Sequence, residues 1–297
     1  MESKEESKVA DYSRKENKRI TESTGKDIQQ TGQKIGQDLK FQPNPDYIEA
    51  RNKIWDELFQ AQKEKLAGFP REAIKITMPD GKEKEGTSFE TTPMDIAKAI
   101  SNSLANKILV ASVKYSKRIA SLDTKLSKVE DLEEGEVGWI GWDLGRPLEG
   151  DCELKLHTFD DKEGKAALWH SSAHLLGESL EMNYGVHLCY GPPTQDGFYY
   201  DAHSGNEKFS QDDYKKIEDT AQKFTTEKQK FERLWLSKEE ALNLFSYNPF
   251  KVQLITNKVA DGASTTAYRN GNLIDLCMGP HIPCTSRVKA FKVMKNS

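Results

Sequence analysis

The stretch AIKITMPDGKEKEGTSFETTPMDIAKAI, Ala73 to Ile100, decides the fold. Ile74 and Ile76 alternate with polar neighbours, Pro79-Asp80-Gly81 has the chemistry of a tight turn, and a polar return run ends at Phe89. That is a hairpin. A helix is expected at once: Thr92 is an N-cap, Pro93 suits the first helical position because it has no N–H to lose, and Asp95 completes a capping box. Ile96, Ala97, Ile100 and Leu104 then fall on one stripe, which predicts a helix buried along that face. Further strands are expected over Ile108 to Val113 and Cys152 to Phe159. Hairpin, packed helix and returning strands on one sheet make a β-grasp.

Working outward to the N-terminus, residues 45–69 carry Tyr47, Ile48, Ile54, Trp55, Leu58, Phe59 and Leu66 at helical spacing. Gly68 and Pro70 close the run, so one amphipathic helix is expected, in need of a partner surface. Residues 1–44 are rich in Lys, Glu, Gln, Ser and Thr, with too few large apolar side chains to offset the entropy of ordering, and read as a disordered polar tail. The whole chain has 297 residues, 43 basic and 47 acidic, for a net charge of -4. It is long enough for two ordinary domains, and no global positive field drives it to nucleic acid. Cys152, Cys189, Cys277 and Cys284 form no CxxC pair in a chain too long to depend on disulfides, so a reducing compartment is expected. No apolar run of about 18 residues is present to cross a membrane, and the N-terminus lacks the apolar core of a signal peptide. A soluble, cytoplasmic protein is expected.

Downstream, Lys165 to Met182 has a helical pattern, with Leu168, Leu175, Leu176 and Leu180 as its buried stripe and the histidines off it. His170 and His174, four residues apart, project from one face of such a helix. Gly177 lies one turn further along that face, leaving room for a ligand. The distant run DLCMGPH, Asp275 to His281, adds Cys277 and His281, and Gly279-Pro280 between them means that they converge through a turn rather than a helix. His, His, Cys and His can hold zinc or polarise a water; the plainer alternative is core histidines satisfied by backbone carbonyls. Asp275 shares the side of Cys277 if the approach is a strand, where it can orient an imidazole or hold an amine.

Between these runs, Asp196 to Asp201 reads as a turn and then a strand, with Tyr199 and Tyr200 facing opposite ways. Lys251 heads the run KVQLI, which reads as a strand. Gln211 to Arg233 reads as a long polar helix, and Ser237 to Glu240 as the cap of a short one. After Cys284, Arg287, Lys289, Lys292 and Lys295 occur without an acid, which suits either phosphate contact or a solvated face.

These residues carry a resemblance. KITMPDGKEKEGTSFETTPMDIAKAI, with the later WDLGRPLEGDCELKL, resembles the TGS domain of cytoplasmic-type eukaryotic threonyl-tRNA synthetases. HSSAHLLGE, GPPTQDGFYYD and LIDLCMGPH resemble the editing domain that follows it in that family. The resemblance implies an α+β protein: a β-grasp domain over 70–159, then a two-layer α+β editing domain over 160–297, preceded by the tail and the helix. It implies hydrolysis of the ester at the 3′ end of seryl-tRNA mischarged on the tRNA specific for threonine. His170, His174, Asp275, Cys277 and His281 are then the catalytic set, and Tyr200 and Lys251 the substrate-binding pair. No cofactor is required on this reading; zinc on His170, His174, Cys277 and His281 stays open, as does a non-catalytic zinc-binding or tRNA-binding module.

The chain departs from the family pattern in two places. Residues 114–140 read as an inserted surface loop, in which Leu122, Leu126 and Val129 are spaced for one short helix. The sequence also runs out at FKVMKNS, about where the class II catalytic domain of the family begins, so neither ATP binding nor aminoacylation is expected of this chain alone. The family dimerises through parts not included in these residues, and a monomer is expected.

Overall fold

The computed structural model describes residues 35, 36, 38–122, 126, 127 and 138–296, so most of the expected tail lies outside the described residues. Residues 38–44, read as part of that tail, are instead docked. Phe41 packs edge-on against Tyr184 with ring centroids 4.9 Å apart, and the Gln42 N–H bonds to the Tyr184 carbonyl at 3.0 Å. One half-buried aromatic ring helps to tie down a short polar run.

Helix α1 spans Tyr47–Ala67. Strands β1, Ala73–Thr77, and β2, Glu83–Thr87, pair antiparallel around the Pro79-Asp80-Gly81 turn. Helix α2, Pro93–Ile100, starts at the capping box of Thr92 and Asp95. It stops sooner than its apolar stripe predicts, because Ser101 is extended and its hydroxyl accepts the Leu104 N–H, opening a second short helix, α3, Asn102–Lys107. Ile100, expected in the buried stripe, is therefore 45% exposed at the break.

Strands β3, Val110–Arg118, β4, Ile140–Trp142, and β5, Gly150–His157, complete a five-stranded sheet in the order β2-β1-β5-β3-β4. The central β1–β5 pair is parallel and the others antiparallel. Ile74, Ile76, Ile96, Ala97, Val113, Trp142 and Leu154 form the core of this β-grasp.

The stretch 114–140 is not all loop. β3 continues through it to Arg118, with Lys114 opposite Glu153 and Tyr115 opposite Cys152. Leu122 is buried and Leu126 makes a parallel bridge to Ser264, so the helix expected from their spacing does not form at these two residues. Val129 lies outside the described residues. Pairing to a neighbouring strand satisfies backbone groups that a short isolated helix would leave exposed.

The second half begins with helix α4, Lys162–Tyr184. Short strands β6, His187–Tyr190, β7, Pro193–Thr194, β8, Gly197–Phe198, and β9, Asp201–His203, follow. Tyr199 and Tyr200 sit between β8 and β9, not in one continuous strand. Helix α5, Gln211–Glu227, ends earlier than the polar run suggested, because Lys228 adopts a left-handed conformation and Glu232 already belongs to the next strand. Strand β10, Glu232–Ser237, helices α6, Lys238–Leu244, and α7, Pro249–Lys258, and strands β11, Ser264–Asn270, and β12, Leu273–Leu276, complete the order. β10, β11 and β12 form an antiparallel sheet. Helices α1, α6 and α7 share a core with it through Trp55, Leu234, Phe245, Ile255, Ala267 and Ile274. α1 is thus packed scaffold for the second sheet.

Helix α4 runs against β12 and is buried almost all round its middle, including His170, Ser171, His174, Gly177, Glu178 and Glu181. The histidines were expected off the buried stripe; they lie inside the core. The reason is a second surface that the helix pattern does not encode: Leu109 and Val110 of the β-grasp join Ala167, Leu175, Ile282 and Val288 in one cluster. A helix covered from two sides needs no polar face.

Candidate functional site

Helix geometry places His170 and His174 one turn apart on α4, with ring centroids 5.3 Å apart. The turn after β12 brings in the rest. The His281 ring lies 4.4 Å from that of His170 and 4.3 Å from that of His174, and the Cys277 sulfur is 3.2 Å from His281 Nε2. Phe231 stacks on His281 at 4.8 Å and the Tyr268 ring meets it edge-on at 4.6 Å. All four candidate ligands are buried, and their ligand atoms lie within 4.8 Å of one another.

The substrate-binding candidates converge beside them. Asp275 Oδ1 is 2.7 Å from Lys251 Nζ, the Tyr200 hydroxyl donates to Asp275 Oδ2, and the same oxygen is 3.7 Å from His174 Nε2. Thus the structure brings His170, His174, Tyr200, Lys251, Asp275, Cys277 and His281 together. Two local expectations are corrected. Lys251 sits in the first turn of α7, not at the head of a strand, because Asn248 caps the helix by accepting from Phe250 N and Lys251 N and Pro249 occupies the first helical position. The space beside Gly177 is not free for a ligand, because a Cβ there would stand 2.8 Å from Tyr200 Cε2. The glycine admits the Tyr200 ring, which in turn reaches Asp275.

The electrostatics follow from burial. Desolvation lowers His174 to about 3 against the pull of Asp275, and it lowers His281 well below the ordinary histidine range, helped by repulsion from His174 and His170. Both rings are neutral near pH 7. Burial would raise Asp275, but Lys251, then His174, together with hydrogen bonds from Lys251 and Tyr200, outweigh it and hold the carboxyl at about 2. The site therefore pairs the Asp275 carboxylate with Lys251 beside the neutral imidazoles of His174 and His281, with His170 and the Cys277 sulfur adjoining. Such a set can accept a proton from water or bind a metal ion.

Several positioning residues escaped the sequence reading. Asp143, between β4 and β5, accepts the His281 N–H at 2.8 Å and the Tyr268 hydroxyl at 2.7 Å, so the β-grasp itself fixes the turn that carries His281. The Ser171 hydroxyl lies 2.7 Å from the Ala167 carbonyl and 2.9 Å from His281 Nδ1. Arg51 of α1 bonds Glu181 of α4 and the Asn272 carbonyl beside β12. The only sequence signals were weak: Ser171 between the two histidines, and Asp143 in the WDLG run.

The basic run after Cys284 is partly committed. Arg287 bonds the carbonyls of Ala105 and Asn106, and Lys292 pairs with Glu218 at 2.9 Å, so these two are engaged with the protein, not presented to a phosphate.

Two domain families match parts of this chain. Residues 74–158 match the TGS domain, and residues 265–297 match the threonyl and alanyl tRNA synthetase second additional domain. More narrowly, the resemblance to threonyl-tRNA synthetases holds over most of the chain. It is 44% identical over 275 residues to the cytoplasmic threonine–tRNA ligase of Saccharomyces cerevisiae, covering 88% of this chain and 34% of that protein. The cytoplasmic enzyme of Caenorhabditis elegans is 45% identical, covering 86% of this chain and 32% of its own length. The human cytoplasmic ligase 1 is 40% identical, covering 87% and 33%. The chain spans about a third of the length of these relatives. No helix among the described residues is long and apolar enough to cross a membrane.

Proposed function

We propose that the pocket hydrolyses an aminoacyl ester at the 3′ end of tRNA, and that its substrate is serine misattached to the tRNA specific for threonine. The observation that supports this most is the meeting of His170, His174, Cys277 and His281 with the Lys251, Asp275 and Tyr200 group in one buried site. Threonine and serine differ by a single methyl group, worth only about 1–3 kcal/mol or roughly 10–200-fold in a synthetic pocket, so a second, hydrolytic site is the physical remedy.

In this reading the oxygen of a water bonds to the ester carbonyl carbon and one of its protons passes to an imidazole of the His170 and His174 pair. The ribose oxygen leaves and takes up a proton, releasing free serine and tRNA with a free hydroxyl. Lys251 and Tyr200 hold the substrate and the charge that develops on the carbonyl oxygen. Asp275 keeps the ammonium of Lys251 in place and faces the substrate amine. The partner is the acceptor end of tRNA, the compartment is the cytoplasm, the chain acts as a monomer, and ATP has no part in this step.

A second reading rests on the cluster of ligand atoms. Three imidazoles and a thiol suit zinc, whose bond lengths of about 2.0–2.3 Å require ligand atoms roughly 3.3–3.6 Å apart, so side-chain shifts would have to close a separation of up to 4.8 Å. An ion held by all four would be a structural staple, and the domain would then present tRNA without cleaving it.

The test is deacylation of seryl-tRNA by the chain. His170→Ala combined with His174→Ala is expected to slow it by about 100-fold or more, and an unchanged rate sinks the proposal. Metal analysis before and after chelation separates the readings, because stoichiometric zinc without hydrolysis favours the second.

A further inference from the structure

The turn that carries His281 is held from the other half of the chain. Asp143 follows β4 in the β-grasp, and its backbone is anchored on both sides. Trp142 before it is buried in the β-grasp core, and the Leu144 carbonyl after it accepts the Met94 N–H of α2 at 3.0 Å. From that base both carboxylate oxygens reach across. Oδ1 accepts the His281 N–H at 2.8 Å, and Oδ2 accepts the Tyr268 hydroxyl at 2.7 Å.

Gly141, two residues earlier, supplies a second contact. A Cβ there would stand 2.8 Å from Pro280 Cδ and 3.0 Å from Pro280 Cγ, so the bare backbone of β4 lies against the proline ring next to His281. On the remaining side Gly279 has a positive φ of 68°, and a Cβ on it would collide with the Tyr268 hydroxyl. Gly279, Pro280 and His281 are thus each fixed by a different neighbour: Tyr268, Gly141 and Asp143.

The turn needs these contacts because it has no strand partner, and His281 is buried where no water can replace a lost acceptor for its N–H. Asp143 bonds the His281 backbone, not its ring, so it acts on the pocket through position. The His281 ring stands 4.4 Å from that of His170 and 4.3 Å from that of His174, with Nε2 3.2 Å from the Cys277 sulfur. A displacement of about 1 Å in such an arrangement costs roughly 100-fold in rate.

We propose that Asp143 and Gly141 are positioning residues for His281, so that the pocket is built jointly by the β-grasp and the half that follows it. The consequence for hydrolysis rests on the deacylase reading above; the positioning itself does not.

Substitutions at the two sites should act alike although their chemistry differs. Asp143→Ala removes an acceptor, Gly141→Ala adds a methyl group, and both move the same turn. Asp143→Asn is the conservative rescue: it keeps an oxygen for the His281 N–H and turns an NH2 towards the Tyr268 oxygen, which can accept. Ile76→Val thins the β-grasp core and controls for mere loss of stability.

The experiment uses the full chain, under conditions where urea unfolding shows each variant to be folded. It reads amide exchange at His281 by NMR of the nitrogen-labelled protein, and steady-state deacylation of seryl-tRNA. The His281 N–H should be protected in the unsubstituted chain. Asp143→Ala should speed its exchange by about 10-fold or more relative to the amides of β11, and Asp143→Asn should not. In Asp143→Ala and in Gly141→Ala kcat should fall by about 10–100-fold, with KM within about threefold because Tyr200 and Lys251 stand on other elements. The double variant should lose less than the product of the two single losses. Asp143→Asn should recover most of kcat, and Ile76→Val should leave it unchanged.

An unprotected His281 N–H in the unsubstituted chain overturns the inference without any variant having to fold. So does a kcat in Asp143→Ala within about twofold of the starting value, an Asp143→Asn as slow as Asp143→Ala, a double variant whose losses multiply, or an equal loss in Ile76→Val. Absence of hydrolysis in the unsubstituted chain would refute the deacylase reading, while the exchange rates still judge the positioning.

Discussion

Replacing Arg51 by Met should destabilise the chain by about 3–5 kcal/mol, although Arg51 lies in the helix outside both domain matches. Its guanidinium is 1% exposed, forms two bonds to the equally buried Glu181 carboxylate, and also donates to the Tyr247 hydroxyl and the Asn272 carbonyl at 2.8 Å. Removing it leaves a carboxylate in a medium where no water can replace the lost partner. The loss is a large fraction of the 5–15 kcal/mol typical of a whole domain.

The sign of the pH dependence follows from Glu181. Burial raises its folded-state pKa above the usual carboxylate value, and Arg51 opposes that rise. Without Arg51 the rise is larger, so the folded state binds the proton more tightly than the unfolded state, and stability falls as pH climbs from about 4.5 through the new pKa. Arg51→Met should therefore cost less at about pH 5 than at about pH 8. Adding Glu181→Met removes the stranded charge and should recover most of the loss, to within about 1–2 kcal/mol of the starting protein. Urea unfolding of the four proteins of this cycle at both pH values is the assay. An Arg51→Met cost below about 1 kcal/mol, or a double variant as unstable as the single one, would refute the view that α1 clamps α4 to the turn before Asp275.

Gly177→Ala should cost about 1–3 kcal/mol and raise the KM for seryl-tRNA, because its Cβ would lie 2.8 Å from Tyr200 Cε2 and 3.0 Å from Leu188 Cδ1 and push the ring off Asp275; urea unfolding and deacylation kinetics check it. Acid should weaken the fold early: with His174 at about 3 when folded and near 6.5 when unfolded, stability is lost as pH falls between these values by up to about 1.4 kcal/mol per unit, and His174→Gln should flatten the fall in Tm measured across that range.

Features settled within a turn or two of chain were legible in the residues alone. The Pro79-Asp80-Gly81 turn, the Thr92 capping box, the Ser237 capping box and the four-residue spacing of His170 and His174 rest on local hydrogen bonds and periodicity, and all four are present. The family motifs extended this to the seven candidate residues, which the fold gathers from α4, α7, β12 and the segments flanking β8 and β12.

Tertiary structure decided the rest, because it depends on partners far away in the chain. The middle of α4 lacks a solvent face because α5, β12 and the β-grasp all pack against it. Gly177 is small because Tyr200, distant in sequence, fills the space beside it. Asp143 reaches His281 across 138 residues, and Arg51 reaches Glu181 across 130. Asn270 and Glu178 look like ordinary polar residues until burial removes the water and leaves them paired with each other.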